Sequence, residues 1–223
     1  MNENYYAQKL NSQNLFKVYD TKIPRVKQYL DAEISFVRDN MIGNENVLEL
    51  GAGYGRIVKE LASNCKSILG IDISNESVSF GKEYLKDIPN ADIITMDVKN
   101  ITLQEKFEVL LCLQNGLSAM KITSSDLIKK ILEMVEVGGK AYFSTYSEKF
   151  WEYRIMWFKE QAQKGSLGEL DLDKTKDGVI FCKDGFKAMT YTLEALKNIG
   201  ELSGYEYEIQ EVDESSVFLI IHK

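Results

Sequence analysis

Three glycines in five positions, Gly51, Gly53 and Gly55, separate the apolar run VLEL from the run RIVKELA. Strand, glycine turn and helix in that order make a cradle for a polar ligand, because a helix start leaves backbone N–H groups unpaired and glycine lets a ligand approach the backbone. Glu49 lies in the strand just before the loop. A carboxylate there suits a ligand that brings positive charge or hydroxyls and repels one that brings pyrophosphate. Arg56 stands where a dinucleotide fingerprint, G-x-G-x-x-G, has its third glycine. That substitution counts against an NAD-dependent oxidoreductase, which is kept as the alternative. Arg56 itself reads as a helix residue pairing with a nearby carboxylate, outside the site.

Two further carboxylates end apolar runs. Asp72 closes SILGID, about twenty residues beyond the glycines, where it can accept hydrogen bonds from both hydroxyls of a ribose. Asp97 in TMDVKN can accept from an exocyclic amine. The run FEVLLCLQNG then passes into a polar loop at Gln114 and Asn115.

These residues need a sheet that gathers strand ends. From Val47 onward apolar runs alternate with helical ones: VLEL and RIVKELAS, SILGID and NESVSFGKEYLKD, DIITMD, FEVLLCL and SSDLIKKILEMVE, GKAYFSTY. Alternation of this kind predicts parallel strands joined by crossover helices, a doubly wound α/β sheet. Such sheets bind ligands at the carboxyl ends of their strands. Before the first strand, VKQYLDAEISFV places Val26, Tyr29, Leu30, Ile34 and Val37 on one helical face. After Tyr146, SEKFWEYRIMWFKEQAQKG reads as a helix whose apolar face holds Trp151, Trp157 and Phe158. Two extended segments, LGELDLDKT and GVIFCKDGFKAMTYT, follow with Asp-Gly turn signals. TLEALKNIG, GYEYEIQEV and SVFLIIHK then give a last helix and two strands, with His222 at the sheet edge.

With these motifs in place, the sequence resembles the class I S-adenosylmethionine-dependent methyltransferases over residues 44–146 and the final strand pair. LELGAGYGR looks like their first motif, GIDIS like the ribose-binding strand end, MDV like the adenine segment and FEVLLCLQNGLS like the fourth motif. The resemblance implies a seven-stranded, mostly parallel, Rossmann-like sheet with its last strand inserted antiparallel. It implies S-adenosylmethionine as cofactor and S-adenosylhomocysteine as product. Carried over residue by residue, Gly51, Ala52, Gly53 and Gly55 would run beneath the methionine part, with Glu49 near its polar groups. Asp72 would hold the ribose, Ile73 would pack on the adenine, Asp97 and Val98 would read its edge, and Leu113 would lie alongside.

One domain is expected: an N-terminal helical lid (1–43), a cofactor-binding core (44–146), an inserted helix and hairpin capping the acceptor pocket (147–191), and a closing helix and strand pair (192–223). Tyr5, Tyr6, Tyr19, Asn115 and Tyr146 are the candidates for the acceptor pocket. No catalytic acid or base is singled out. With 34 acidic and 27 basic residues, a net charge of -7 and no basic block, nucleic acid is not expected as partner. NGLS also lacks the N-P-P-[YF] pattern of enzymes that methylate base amines. Cys65, Cys112 and Cys182 are widely spaced and His222 is the one histidine, so neither a disulfide framework nor a metal site is expected. MNENYYAQKLNSQN lacks a signal-peptide pattern and no apolar stretch is of membrane-spanning length, which points to a cytoplasmic setting. The expected activity is methyl transfer to a small-molecule acceptor, with a non-catalytic S-adenosylmethionine-binding domain as a further alternative.

Overall fold

A computed structural model describes residues 12–122 and 124–223. Strands β1 (Asn46–Leu50), β2 (Ser67–Asp72), β3 (Ala91–Thr95), β4 (Phe107–Cys112) and β5 (Val135–Tyr146) run parallel in the spatial order β3-β2-β1-β4-β5. β9 (Ser216–His222) lies antiparallel beside β5, and β8 (Glu206–Val212) is the antiparallel strand outside it. The sheet therefore has the seven strands and the inserted antiparallel strand that the sequence predicts. The order reverses between β1 and β4, which opens a crevice beyond their carboxyl ends.

Alternation along β1 sends successive side chains to opposite faces. Leu48 and Leu50 join the core formed with α6 (Ser125–Glu133) and α8 (Leu193–Ser203), through Ile128, Ile131, Leu196 and Ile199. Val47 joins the other face, packed under α2 (Pro24–Asp39), α3 (Arg56–Leu61) and α4 (Asn75–Leu85) through Ile34, Val37, Val58, Leu61 and Val78. By the same period Glu49 belongs to that second face, under α2 and α3. Full burial of one such aliphatic side chain is worth about 1.5–3 kcal/mol.

Ser74, Ser124 and Thr192 stop the approach to α4, α6 and α8. Each side-chain oxygen accepts from a backbone N–H three residues on, at 3.2, 3.2 and 3.1 Å. A cap of this kind contributes about 1 kcal/mol and fixes where the helix begins.

The N-terminal helices α1 (Ser12–Tyr19) and α2 share a third core with the inserted helix α7 (Trp151–Gln163) and the hairpin of β6 (Val179–Phe181) and β7 (Lys187–Met189). Pro24 starts α2 with its ring in the first turn, where its missing N–H costs nothing. Trp157 Nε1 donates to the Val18 carbonyl at 3.1 Å, and Thr21 Oγ1 donates to Glu160 Oε2 at 2.6 Å. These bonds fasten the start of the chain to the insertion.

Two local readings need correction. LGELDLDKT forms no strand: it lies along the hairpin with one bridge, Leu170 to Cys182, flanked by Asp171 N–H donating to the Phe181 carbonyl and Lys183 N–H to the Glu169 carbonyl, before turning at 172–174. The polar loop at Gln114 and Asn115 leads directly into a short helix, α5 (Gly116–Ala119). β5 begins at Val135, ahead of GKAYFSTY, and its register against β4 shifts between Phe107 and Val109. No helix among the described residues is long and apolar enough to cross a membrane.

Candidate active site

A cavity of about 260 Å³ opens at the carboxyl ends of β1, β2 and β4, where the strand order reverses. Its floor is the glycine loop. Gly53 has φ +58, and a Cβ there would stand 2.5 Å from a methyl of Leu15 on α1, so the loop and the N-terminal helix approach closer than a side chain allows. Gly53 N–H donates to Asp72 Oδ2 at 2.8 Å, and Ser74 N–H donates to Asp72 Oδ1, also at 2.8 Å. One carboxylate thus ties the glycine loop of β1 to the turn after β2. Burial raises the pKa of Asp72, opposed by these two N–H donors.

Gly51, Ala52 and Gly53 all line the cavity. Gly55 does not, contrary to the sequence reading. Its φ is +83, and a Cβ there would meet Leu85 of α4 at 2.9 Å, so it turns the chain into α3 against the core. Ile73, Asp97 and Val98 line the far end beyond Asp72. Asp97 Oδ1 accepts from Lys99 N–H at 2.9 Å and so caps the 3-10 turn Val98–Asn100, while Ile73 keeps 52% of its surface exposed.

The end of β4 forms another wall. Leu113 is buried and lines the cavity. Gln114 and Asn115 follow with left-handed backbone at φ 53 and 64. Two acceptors hold this unusual turn: Gln114 N–H donates to Ser144 Oγ at 2.8 Å and to Glu33 Oε2 at 3.2 Å. Asn115 lines the cavity, and both ends of its amide are engaged. Nδ2 donates to the Met189 carbonyl at 2.7 Å and Oδ1 accepts from Thr145 Oγ1 at 2.8 Å. This residue pins the hairpin to the sheet.

The roof is aromatic and apolar. Tyr19, Tyr146, Trp157, Phe158 and Phe186 converge there from α1, β5, α7 and the hairpin. Trp157 and Phe158, read from sequence as the apolar face of a helix, serve that role and line the cavity too. Tyr5 and Tyr6 lie outside the described residues.

Charge in the cavity is unevenly matched. Burial pushes the Glu49 carboxyl up to about 8, opposed by the positive charge of Arg56 and reinforced by Asp72. Its Oε2 is buried without a hydrogen-bond partner. Arg56 also lines the cavity; its guanidinium carbon sits 4.6 Å from the centre of the Tyr19 ring, while Nε and Nη2 are buried and unpartnered. Nε2 of Gln114 is a third orphan. Behind Gln114, burial raises Glu33 to about 7 against the hydrogen bonds from Ser216 and Ser144 that lower it. Sequence reasoning left Arg56 outside the site, named Gln114 only as part of the polar loop after β4, and did not single out Glu33, which supports that loop from behind the cavity wall.

Residues 47–139 match the sequence profile of the family described as a methyltransferase domain. Among curated relatives, a probable ribosomal RNA small subunit methyltransferase A of Methanococcus aeolicus is 36% identical over 66 residues, 30% of this chain and 24% of that protein. Malonyl-[acyl-carrier protein] O-methyltransferase 1 of Ilyobacter polytropus is 29% identical over 137 residues, 60% of this chain and 49% of that one. The chain thus spans about a quarter to a half of the length of these two relatives. Among solved structures, magnesium protoporphyrin IX methyltransferase of Synechocystis with bound S-adenosylhomocysteine superposes with a TM-score of 0.63 at 15% identity, covering 99% of this chain and 97% of that one. The matched segment contains β1, the glycine loop, Asp72, Asp97 and the β4 turn: residues 47–139 are similar in sequence to a methyltransferase domain, and the chain as a whole is similar in fold to the Synechocystis methyltransferase.

Proposed function

We propose that this chain binds S-adenosylmethionine across the glycine loop and transfers its methyl group to a small-molecule acceptor held beneath the aromatic roof. The observation that carries the reading is the pairing of two unlike walls in one cavity. One wall is a glycine floor with Glu49, Asp72 and Asp97 at strand ends; the other is the apolar roof of Tyr19, Tyr146, Trp157, Phe158 and Phe186.

The residues present fit the cofactor. Gly51, Ala52 and Gly53 bring the loop to the cavity, and Glu49, Arg56 and Gln114 offer buried polar atoms without partners. When bound, the cofactor supplies a methyl group already activated by a sulfonium. Asp72 would hold the ribose while Ile73, Asp97 and Val98 would frame the adenine, which leaves the roof to position the acceptor. Aligning the reacting atoms within about 3–3.5 Å, and excluding water while doing so, is the main work such a transfer asks of a protein.

Enclosure favours a small acceptor. Leu15 and Val18 of α1 and Trp157 of α7 close over the cavity, leaving a site suited to a ligand whose surface is largely buried. The net charge of -7 and the scattered lysines support the same reading. A screen of phenols, carboxylic acids, amines, thiols and a structured RNA for S-adenosylhomocysteine release tests it. Turnover with a small molecule alone is expected; turnover with RNA alone would replace this acceptor class.

A further inference from the structure

Arg56 is the least satisfied charge in the cavity. It is the first residue of α3, three positions after Gly53, and follows β1, which stands two strands from β3, the strand that leads to Asp97. Nε and Nη2 are shielded from solvent and lack hydrogen-bond partners, and the Tyr19 ring packs on the guanidinium at 4.6 Å. A guanidinium with donors idle in a low-dielectric site is costly unless an anion reaches it. Glu49 lines the same cavity but makes no ion pair with Arg56: its Oε2 is buried without a partner, and burial raises the pKa of its carboxyl. Glu33 and Asp72, the other acids that face this region, accept from Ser216, Gln114, Gly53 and Ser74, and neither makes an ion pair with Arg56.

We infer that Arg56 holds the carboxylate at the amino-acid end of the cofactor, oriented for that contact by the Tyr19 ring. The inference rests on the proposed function and adds a residue to it. Asp97 and Asp72 take the nucleoside end, so a ligand laid over Gly51–Gly53 brings its far end to Arg56. Two adjacent donors on a rigid planar fork suit a carboxylate. A carboxylate on the acceptor is the other source of the same chemistry, and the two are separable by experiment.

Calorimetry compares S-adenosylhomocysteine with 5′-methylthioadenosine, which keeps the adenine, ribose and thioether and lacks the amino-acid end. In Arg56→Met, affinity for S-adenosylhomocysteine should fall about 30-fold while that for methylthioadenosine stays within about threefold, the difference expected for one charge-assisted contact. Arg56→Lys should recover part of the loss. Equal weakening of both ligands would make Arg56 a packing residue and overturn the inference while leaving the methyltransferase reading intact. Unchanged affinity for both, with activity lost only on acidic acceptors, would reassign Arg56 to the acceptor. A parent protein that binds neither ligand would remove the proposed function and this inference with it.

Discussion

Asn115 Nδ2 donates a 2.7 Å hydrogen bond to the carbonyl oxygen of Met189, 74 residues further along the chain. The other end of the same amide accepts from Thr145, whose hydroxyl also accepts from Tyr191 N–H at 3.2 Å. A single buried side chain on the β4 turn thereby fixes the hairpin that carries Phe186 and Ala188 to the cavity. Asn115→Ala should destabilise the protein by about 2–4 kcal/mol, through two lost buried hydrogen bonds and a left-handed backbone that alanine tolerates less well than asparagine. Denaturant unfolding measures the loss. Limited proteolysis should find residues 164–190 cut sooner in the variant, and an unchanged pattern would show that the hairpin is held elsewhere.

Asp72 couples two tasks, since its carboxylate holds the glycine loop and would accept from a ribose. Asp72→Ala should weaken S-adenosylhomocysteine binding by about 1.5–3 kcal/mol. Asp72→Asn keeps the volume and one acceptor oxygen, and should lose less. Calorimetry on both variants decides, and parent-like affinity in Asp72→Ala would take the residue out of the site.

Stability should fall as pH rises through neutrality. Burial raises Glu33 to about 7 and Glu49 to about 8, from an ordinary value of 4.5, so above that value the folded chain retains protons that the unfolded chain has released. The advantage of the neutral carboxyls is complete below the unfolded value and is lost as pH rises through the folded ones. Melting temperature should therefore decline between about pH 5 and about pH 8.5. Glu33→Gln should flatten that decline. A variant whose profile parallels the parent's would show that Glu33 ionises in the fold as it does in the open chain.

Deleting residues 1–20 removes Leu15, Val18 and Tyr19 from the cavity and breaks the bond from Trp157 to the Val18 carbonyl. The sheet should remain folded, since its cores draw on α2 and on later elements. S-adenosylhomocysteine binding should weaken yet stay measurable, while methyl transfer should fall much further as alignment and water exclusion are lost. Far-UV circular dichroism, calorimetry and turnover read the three effects separately. Full activity in the shortened chain would reduce this segment to packing.

The legible part of the fold is the part encoded locally. Strand runs, glycines and caps lie close together in sequence, so residue order alone places β1 to β5 and the loop residues Gly51, Gly53 and Asp72. Gly55 was misplaced because a positive φ satisfies a turn and a ligand cradle alike; only the position of Leu85 distinguishes them. Arg56 looked like an ordinary helix residue because the lack of a partner is a tertiary property. Glu33 interrupts an otherwise apolar face of α2 and is fully buried there. Its partners on β4 and β9 lie 81 and 183 residues away, beyond the reach of any periodicity. Gln114 and Asn115 adopt a backbone that sequence seldom announces outside glycine.

The two walls of the cavity also have different addresses in the gene. The floor comes from residues 49–98 and the β4 turn, one nearly continuous stretch, while the roof is assembled from residues 15–19 at one end and 146–188 at the other. Substitutions at Tyr146, Phe158 or Phe186 can reshape that part of the cavity while leaving Leu15 against Gly53 and Tyr19 against Arg56 in place. Under the proposed function, the later part of the roof could be retuned for a different acceptor while the donor loop is kept, and Asn115, bonded to both walls, would constrain either change.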